Sequence, residues 1–329
     1  MTRIYDARGN RYAVVTPQAL RALGVPVPER PDTAARDARH WTPQAIAAIC
    51  DWPTGTRPEG AKAHRSDGLL VGPFQTQAPF ELLIVNTDGT LAERSGNGLT
   101  IFAQALTDSG LADSQAFSVQ VHHSGIPSPV QTDIRPGTHD GVQGFWLGLG
   151  APCFGPDAVA ARAESIAPGQ FNDRPVQRVA PLAAVNAAWV HSLFVRVGNP
   201  HCVTLLADAS QLPEFAALHE TALGTALTRI AFAAGAQGRG DPCPAGINLQ
   251  WACKLAPGVL EARVFERGEG PTASSGTSAS AVACAAWAAG LVSAGEVQVR
   301  MPGGTAPLCL TEQNGQLSSV ALFGVAVRV

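Results

Sequence analysis

Charge is scarce in this chain. Asp, Glu, Lys and Arg make up 15% of its 329 residues and nearly cancel, leaving a net charge of -3 at pH 7. A nucleic-acid binder needs a basic excess to displace phosphate counterions, and neither the total nor any local run of Lys or Arg supplies one. A long apolar run is also missing. The longest, Ala279 to Val292, has about 14 residues, too few to span a bilayer, and it reads as a buried helix. The opening Met-Thr-Arg-Ile-Tyr-Asp-Ala-Arg holds no apolar signal core, so neither secretion nor a membrane partner is expected. Cysteine is present without pattern. Cys50, Cys153, Cys202, Cys243, Cys253, Cys284 and Cys309 are odd in number and form no CxxC pair and no Cys/His cluster. That argues against a disulfide framework and a metal site, and fits free thiols in a reducing cytoplasm.

What is present is an ordered, apolar chain, 46% hydrophobic, long enough for two domains at about 150 residues each. Strand-like runs dominate: Arg11–Val15, Gly68–Val71, Glu81–Val85, Phe117–Val121, Gly144–Gly148, His191–Val197, Ile247–Trp251, Leu260–Phe265, Val297–Arg300 and Val325–Val329. Each is short, β-branched or alternating, and bounded by Gly, Pro, Asp or Asn. Helical stretches are fewer: Thr42–Ala48, Gly98–Leu106, Ala216–Ala226 and Ser278–Ala289. Many strands with few helices indicate an α+β protein with mixed or antiparallel sheets.

The chain also repeats itself. Ser95-Gly96-Asn97-Gly98 leads into an apolar stretch that stops at Gly110-Leu111, and Ser275-Gly276-Thr277-Ser278 leads into one that stops at Gly290-Leu291. A strand ending in a turn precedes each copy, at Val85–Gly89 and at Val264–Gly268. A period of about 180 residues is too long for a solenoid and indicates two related domains.

Such a start has a chemical use. The first turn of a helix leaves backbone N–H groups unpaired and carries positive partial charge. Small residues such as Gly96, Asn97, Gly276 and Thr277 let a carboxylate or phosphate approach those donors. Ser95 and Ser275 read individually as N-caps. As a pair, they read as two walls of one small-molecule site, able to grip a carboxylate and stabilise the enolate formed when a proton leaves the adjacent carbon.

At these residues the chain resembles the diaminopimelate epimerases, which invert an amino-acid α-carbon without pyridoxal phosphate, using one cysteine from each domain. The family motifs run roughly Asn-x-Asp-Gly…Glu-x-Cys-Gly-Asn-Gly and Glu-Arg-Gly-x-Gly-x-Thr-x-x-Cys-Gly-Thr-Gly. Here they stand as Asn86-Thr-Asp88-Gly89…Glu93-Arg-Ser95-Gly96-Asn97-Gly98 and Glu266-Arg267-Gly268-Glu-Gly270-Pro-Thr272-Ala-Ser-Ser275-Gly276-Thr277-Ser278. Gly198-Asn199-Pro200-His201-Cys-Val203, Gly9-Asn10 and Asn248 match as well, in the same order along the chain. The resemblance implies two similar domains related by pseudo-twofold symmetry, each a curved sheet or partial barrel around a central helix. The first would cover 1–140 with a C-terminal strand at about 316–329, the second 141–315. It implies Asn10, Asn86, Asn199, Asn248 and Arg267 as the residues holding the amino-acid groups; amides plus a guanidinium suit an ammonium-and-carboxylate ligand. No cofactor is implied. A homodimer is compatible with the sequence, which does not set the oligomeric state.

One departure matters. Both catalytic cysteine positions are serine, Ser95 and Ser275. A thiol has a pKa of about 8.5 and falls further at a helix N-terminus, whereas a serine hydroxyl is a far weaker acid and needs a neighbouring base. Each pKa unit is worth about 1.36 kcal/mol. Three readings stay open: a proton shift such as epimerisation, isomerisation, dehydration or tautomerisation with Glu266, His201 or Glu93 as base; an engineered Cys-to-Ser pair; or an amino-acid-binding homologue without turnover.

Overall fold

The computed structural model describes residues 2–125 and 127–329. It divides into two compact units, Met1–Gly148 with Phe323–Val329, and Leu149–Leu322.

Unit 1 contains β1 Arg3–Ala7, β2 Asn10–Val15, β3 Gly68–Val71, β4 Phe80–Asn86, β5 Leu91–Ala92, β6 Phe117–Val121, β7 Val130–His139 and β8 Val142–Gly150, the last running into the boundary. Its helices are α1 Pro17–Ala22, α2 Pro31–Arg36, α3 Ala38–Ile49 and α4 Gly96–Asp108. β1 and β2 form an antiparallel hairpin, β2 runs parallel to β3, and β3 is antiparallel to β4. On the far edge of β4, β5 lies against Ile84 and Val85 while β6 lies against Phe80–Leu82.

Alternation along these strands sorts two faces. Ala13, Val15, Leu69, Val71, Leu83 and Val85 pack with Leu20, Ala34, Trp41, Ile46 and Ile49 of α1–α3. The other face, carrying Leu70 and Ile84, turns toward α4, whose stretch from Leu99 to Phe102 is buried. Both faces are covered, which is why these strands read as near-continuous apolar runs.

Unit 2 contains β9 Cys153–Phe154, β10 Ile166–Phe171, β11 Arg174–Val179, β12 Ser192–Val197, β13 Asn199–Leu205, β14 Asn248–Ala256, β15 Val259–Glu266, β16 Gly270–Thr272, β17 Gly295–Met301, β18 Gly304–Gln313 and β19 Gln316–Gly324. Its helices are α5 Ala180–Val185, α6 Phe215–Leu218, α7 Thr221–Ala231 and α8 Gly276–Ala288. The core of unit 1 recurs here: hairpin β12–β13, parallel β13–β14, antiparallel β14–β15, and β16 and β17 in line along the far edge of β15. From β3 onward the offset is constant at 180 residues, whereas β2 and β13 differ by 189, as Tyr12 and His201 show. Glu81 pairs with Gln120 and Ile84 with Ala92, as Glu261 pairs with Arg300 and Val264 with Thr272. α8 packs against β12, β13, β14, β15, β17 and β18. Ala279 to Ala286 are all fully buried, as befits a helix apolar all round. Gly110 and Gly290, at φ +69° and +71°, follow the two helices where the chain must turn left-handed.

β20, Val327–Arg328, returns to pair with β1 in unit 1. The α+β reading holds. Three elements differ from the sequence reading. Ala216–Ala226 is two helices, α6 and α7, because the chain breaks at His219-Glu220. The expected strand Val325–Val329 shrinks to β20. The expected Thr42–Ala48 is the middle of α3, which tolerates Pro43 inside it.

Candidate active site

In unit 2 the strand register assembles a row of polar side chains beneath the start of α8. His201 on β13 stands opposite Asn248 on β14. Leu249 pairs with Phe265, which brings Asn248 alongside Glu266, the last residue of β15. Asn199 lies two residues before His201, hence on the same face, after Gly198 at φ +73°. Asn248 Oδ1 accepts the backbone N–H of Arg267 at 2.8 Å, and the Arg267 guanidinium donates to the Ala245 carbonyl at 3.3 Å.

Ser275 caps α8 from extended backbone, φ -153°. Its hydroxyl donates to Glu266 Oε1 at 2.7 Å and accepts the Ser278 N–H at a long 3.4 Å. Burial raises the Glu266 carboxyl above its ordinary value; donation from Ser275 pulls it back, and Glu269 nearby pushes it up again. A partly buried carboxylate held by a hydroxyl is therefore the basic group at this helix start. His201 is fully buried, and its pKa is pushed down to about 3, first by burial and then by the Arg267 charge. It is a neutral imidazole.

Unit 1 repeats the backbone with other side chains. The matching row is Tyr12, Gly68 and Asn86, again through a parallel and an antiparallel pairing. Asn86 stands where unit 2 has Glu266, and its amide donates to Thr90 Oγ1 at 3.0 Å. Gly89, at φ +83°, closes the turn between them. Ser95 caps α4 by accepting the Gly98 N–H at 3.0 Å. Asn10, at the start of β2, keeps a buried Oδ1 with no partner among the described residues. Glu93 sits exposed just past β5. In both units the first-turn N–H groups, those of Gly96 and Asn97 and those of Gly276 and Thr277, have no internal acceptor among the described residues.

Ser275, Glu266, Asn248, His201, Asn199, Arg267, Gly276 and Thr277 thus gather in unit 2. Ser95, Gly96, Asn97, Asn86 and Asn10 belong to unit 1. Gln250 is a polar group at the unit 2 row that sequence reasoning missed. It lies two residues after Asn248 on the same strand, and period-two alternation was the signal that could have found it. Among the described residues no group of His, Cys, Asp and Glu is arranged to hold a metal ion.

A family model for diaminopimelate epimerase matches residues 193–329. A diaminopimelate epimerase 2 from Nostoc sp. is 31% identical over 303 residues, covering 91% of this chain and 85% of the relative. A diaminopimelate epimerase from Corynebacterium aurimucosum is 29% identical over 292 residues, covering 84% and 87%. Among solved structures, a methylitaconate-delta-isomerase aligns with TM-score 0.56 at 14% identity, covering all of this chain and 93% of that one. A PhzF-family phenazine biosynthesis protein from Bacillus anthracis aligns with TM-score 0.55 at 13%, covering 100% and 96%. A hydroxyproline epimerase from Agrobacterium vitis aligns with TM-score 0.52 at 12%, covering 100% and 88%. The likeness to these structures is one of fold. With a strand register that recurs in both units and a relative 31% identical over 91% of this sequence, the chain belongs to the diaminopimelate epimerase family.

Proposed function

We propose that this chain is an isomerase of the epimerase type that works without pyridoxal phosphate, moving a proton at the carbon α to a carboxylate in an amino acid or a related acid. The observation that carries this reading is the Ser275 hydroxyl on Glu266 at 2.7 Å, at the start of a helix with unused N–H donors. Glu266, raised by burial, takes the proton; Ser275 holds the carboxylate in place and relays. The helix-start N–H groups receive the charge that builds on the substrate oxygens. Asn10, Asn86, Asn199, Asn248 and Arg267 bind the remaining amino-acid groups. The seven unpaired thiols support a reducing compartment.

One observation favours a narrower second reading. A two-sided inversion needs a base on each side; with Ser95 in place of a thiol and Asn86, not a carboxylate, at the strand end matching Glu266, unit 1 offers its serine no base there. A single base suits a shift of the proton between two carbons of the substrate.

The test is incubation with L,L- and meso-diaminopimelate and a panel of amino acids in deuterium oxide, followed by NMR. Deuterium at an α-carbon is expected, with inversion for an epimerase or a displaced double bond for the second reading. Absence of wash-in at every α-carbon overturns both. Installing Ser95→Cys together with Ser275→Cys is expected to confer diaminopimelate epimerisation if the remaining site is that of the family.

A further inference from the structure

Beneath the first turn of α8, three polar side chains are sealed from solvent and joined in a line. Gln250, His201 and Ser278 are all fully buried. Gln250 Nε2 lies 3.1 Å from His201 Nδ1 and donates to Ser278 Oγ at 3.0 Å. An amide nitrogen carries two hydrogens, and this geometry engages both. With the amide nitrogen as donor to both, His201 Nδ1 accepts and the ring proton falls on Nε2; the same placement leaves Gln250 Oε1 buried without a partner among the described residues. That Nε2–H is buried and meets no acceptor among the described residues. A sealed donor without a partner is costly and calls for an explanation. His201 belongs to the row of Asn248 and Glu266, so the unused donor lies on the face that carries the base. Arg267 and Arg196 are the charges acting on the ring, and with burial they keep it neutral.

The same line of three does not recur among the described residues of unit 1. By register the matching residues are Tyr12, Leu70 and Gly98. The residue that ties the network to the helix, Ser278, occupies the place that Gly98 holds in the other copy.

We infer that Gln250 and Ser278 are positioning residues that hold His201 as a neutral hydrogen-bond donor, its Nε2–H directed to a substrate oxygen on which negative charge builds. His201 is in this role a stabiliser of charge and not a base. The ligand half of the inference rests on the isomerase reading above; the placement of the proton does not.

Two-dimensional 1H–15N NMR of histidine-labelled protein tests it. The Nε2–H tautomer of His201 is expected, unchanged between about pH 5 and pH 9, where an ordinary histidine titrates. Ser278→Gly, which copies the Gly98 position, frees the amide to turn, and a second population protonated on Nδ1 is expected. Gln250→Glu replaces the donor by an acceptor and is expected to draw the proton to Nδ1; thermal unfolding checks that both variants fold. With any substrate that exchanges deuterium, Ser278→Gly is expected to lower kcat about tenfold and move KM less than about twofold, the pattern of a lost transition-state contact. A native Nδ1–H tautomer, titration near neutrality, or an unaltered tautomer in both variants overturns the inference. Native Nε2–H without wash-in from any amino acid removes the isomerase reading and upholds the proton placement.

Discussion

The helix starts at Ser95 and Ser275 share one backbone and perform different work. α4 and α8 each have 13 residues, and both serines cap from extended conformation. Five residues on, Thr100 and Ser280 each return a hydroxyl to the carbonyl of the residue after the cap, Gly96 and Gly276, at 2.8 Å. The serine oxygens diverge. Ser95 has a cap bond of 3.0 Å and no acidic neighbour at the matching strand end. Ser275 lets its cap bond lengthen to 3.4 Å while its proton goes to Glu266. The same hydroxyl thus chiefly holds a helix in one unit and chiefly serves a carboxylate in the other. A repeated motif can be read for location well before it can be read for role.

The comparison can be broken most severely at the strand ends. Glu266→Gln is expected to slow α-proton exchange by about a thousandfold, the usual weight of a general base, whereas Asn86→Asp is expected to change it less than about tenfold. Deuterium wash-in rates measure both; comparable losses would show that the two halves are equivalent. The proposed base also predicts a pH dependence. If Glu266 acts as carboxylate, its carboxyl being raised by burial, the rate is expected to fall with acidification along a limb that lies above the ordinary carboxylate range. That limb should vanish in Glu266→Gln.

Next in size is the row itself. Gly68 stands where unit 2 has Asn248, but a side chain there would meet the Tyr12 ring and come within 2.8 Å of the Val85 carbonyl. Gly68→Ala is expected to cost about 2 kcal/mol, measured by urea unfolding, as for other overpacked sites. The caps come third. Ser95→Ala is expected to cost about 1 kcal/mol of stability, and Ser275→Ala less than that because its cap bond is long, while the loss of activity runs in the opposite order. Parallel unfolding and exchange assays would expose any other ranking.

The smallest effect is a gain. Folding favours the protonated form of Glu266, so this group stabilises the fold below its unfolded value of 4.5 and ceases to do so as pH rises through its higher folded value. Glu266→Gln should therefore raise Tm by about 2 °C at pH 8 and leave it unchanged near pH 3.

Much of this was legible in the sequence where the information is local. Ser-Gly starts and Gly-Leu stops mark helix ends through cap chemistry, so α4 and α8 could be read directly, and the 180-residue offset followed. Helices α1, α2 and α5 escaped notice because they are six residues long and owe their existence to the sheet face they cover, despite a Pro in the first turn of each. Strand β18 was also missed, although Ala306, Leu308 and Leu310 alternate inward along it, because Pro307 and Cys309 between them blur the pattern; its partner β19 falls within the C-terminal strand expected at about 316–329. The rows Tyr12–Gly68–Asn86 and His201–Asn248–Glu266 were out of reach, because each joins strands distant in sequence through a register set by pairing. Asn86 and Glu266 were named from motifs, but their equivalence needed that register. Ser278 was visible only as an odd residue in a motif; its partner Gln250 makes sense of it.

The return of Phe323–Val329 to unit 1 carries a consequence for how the chain is made. Phe323 packs on His139 and Trp146, its carbonyl accepts from Arg8, and Val327 pairs with Asp6. Unit 1 therefore takes its closing strand from residues that leave the ribosome after all of unit 2. During synthesis the first segment to emerge must wait with an unpaired edge at β1, while the second unit, continuous from Leu149 to Leu322, can finish folding first.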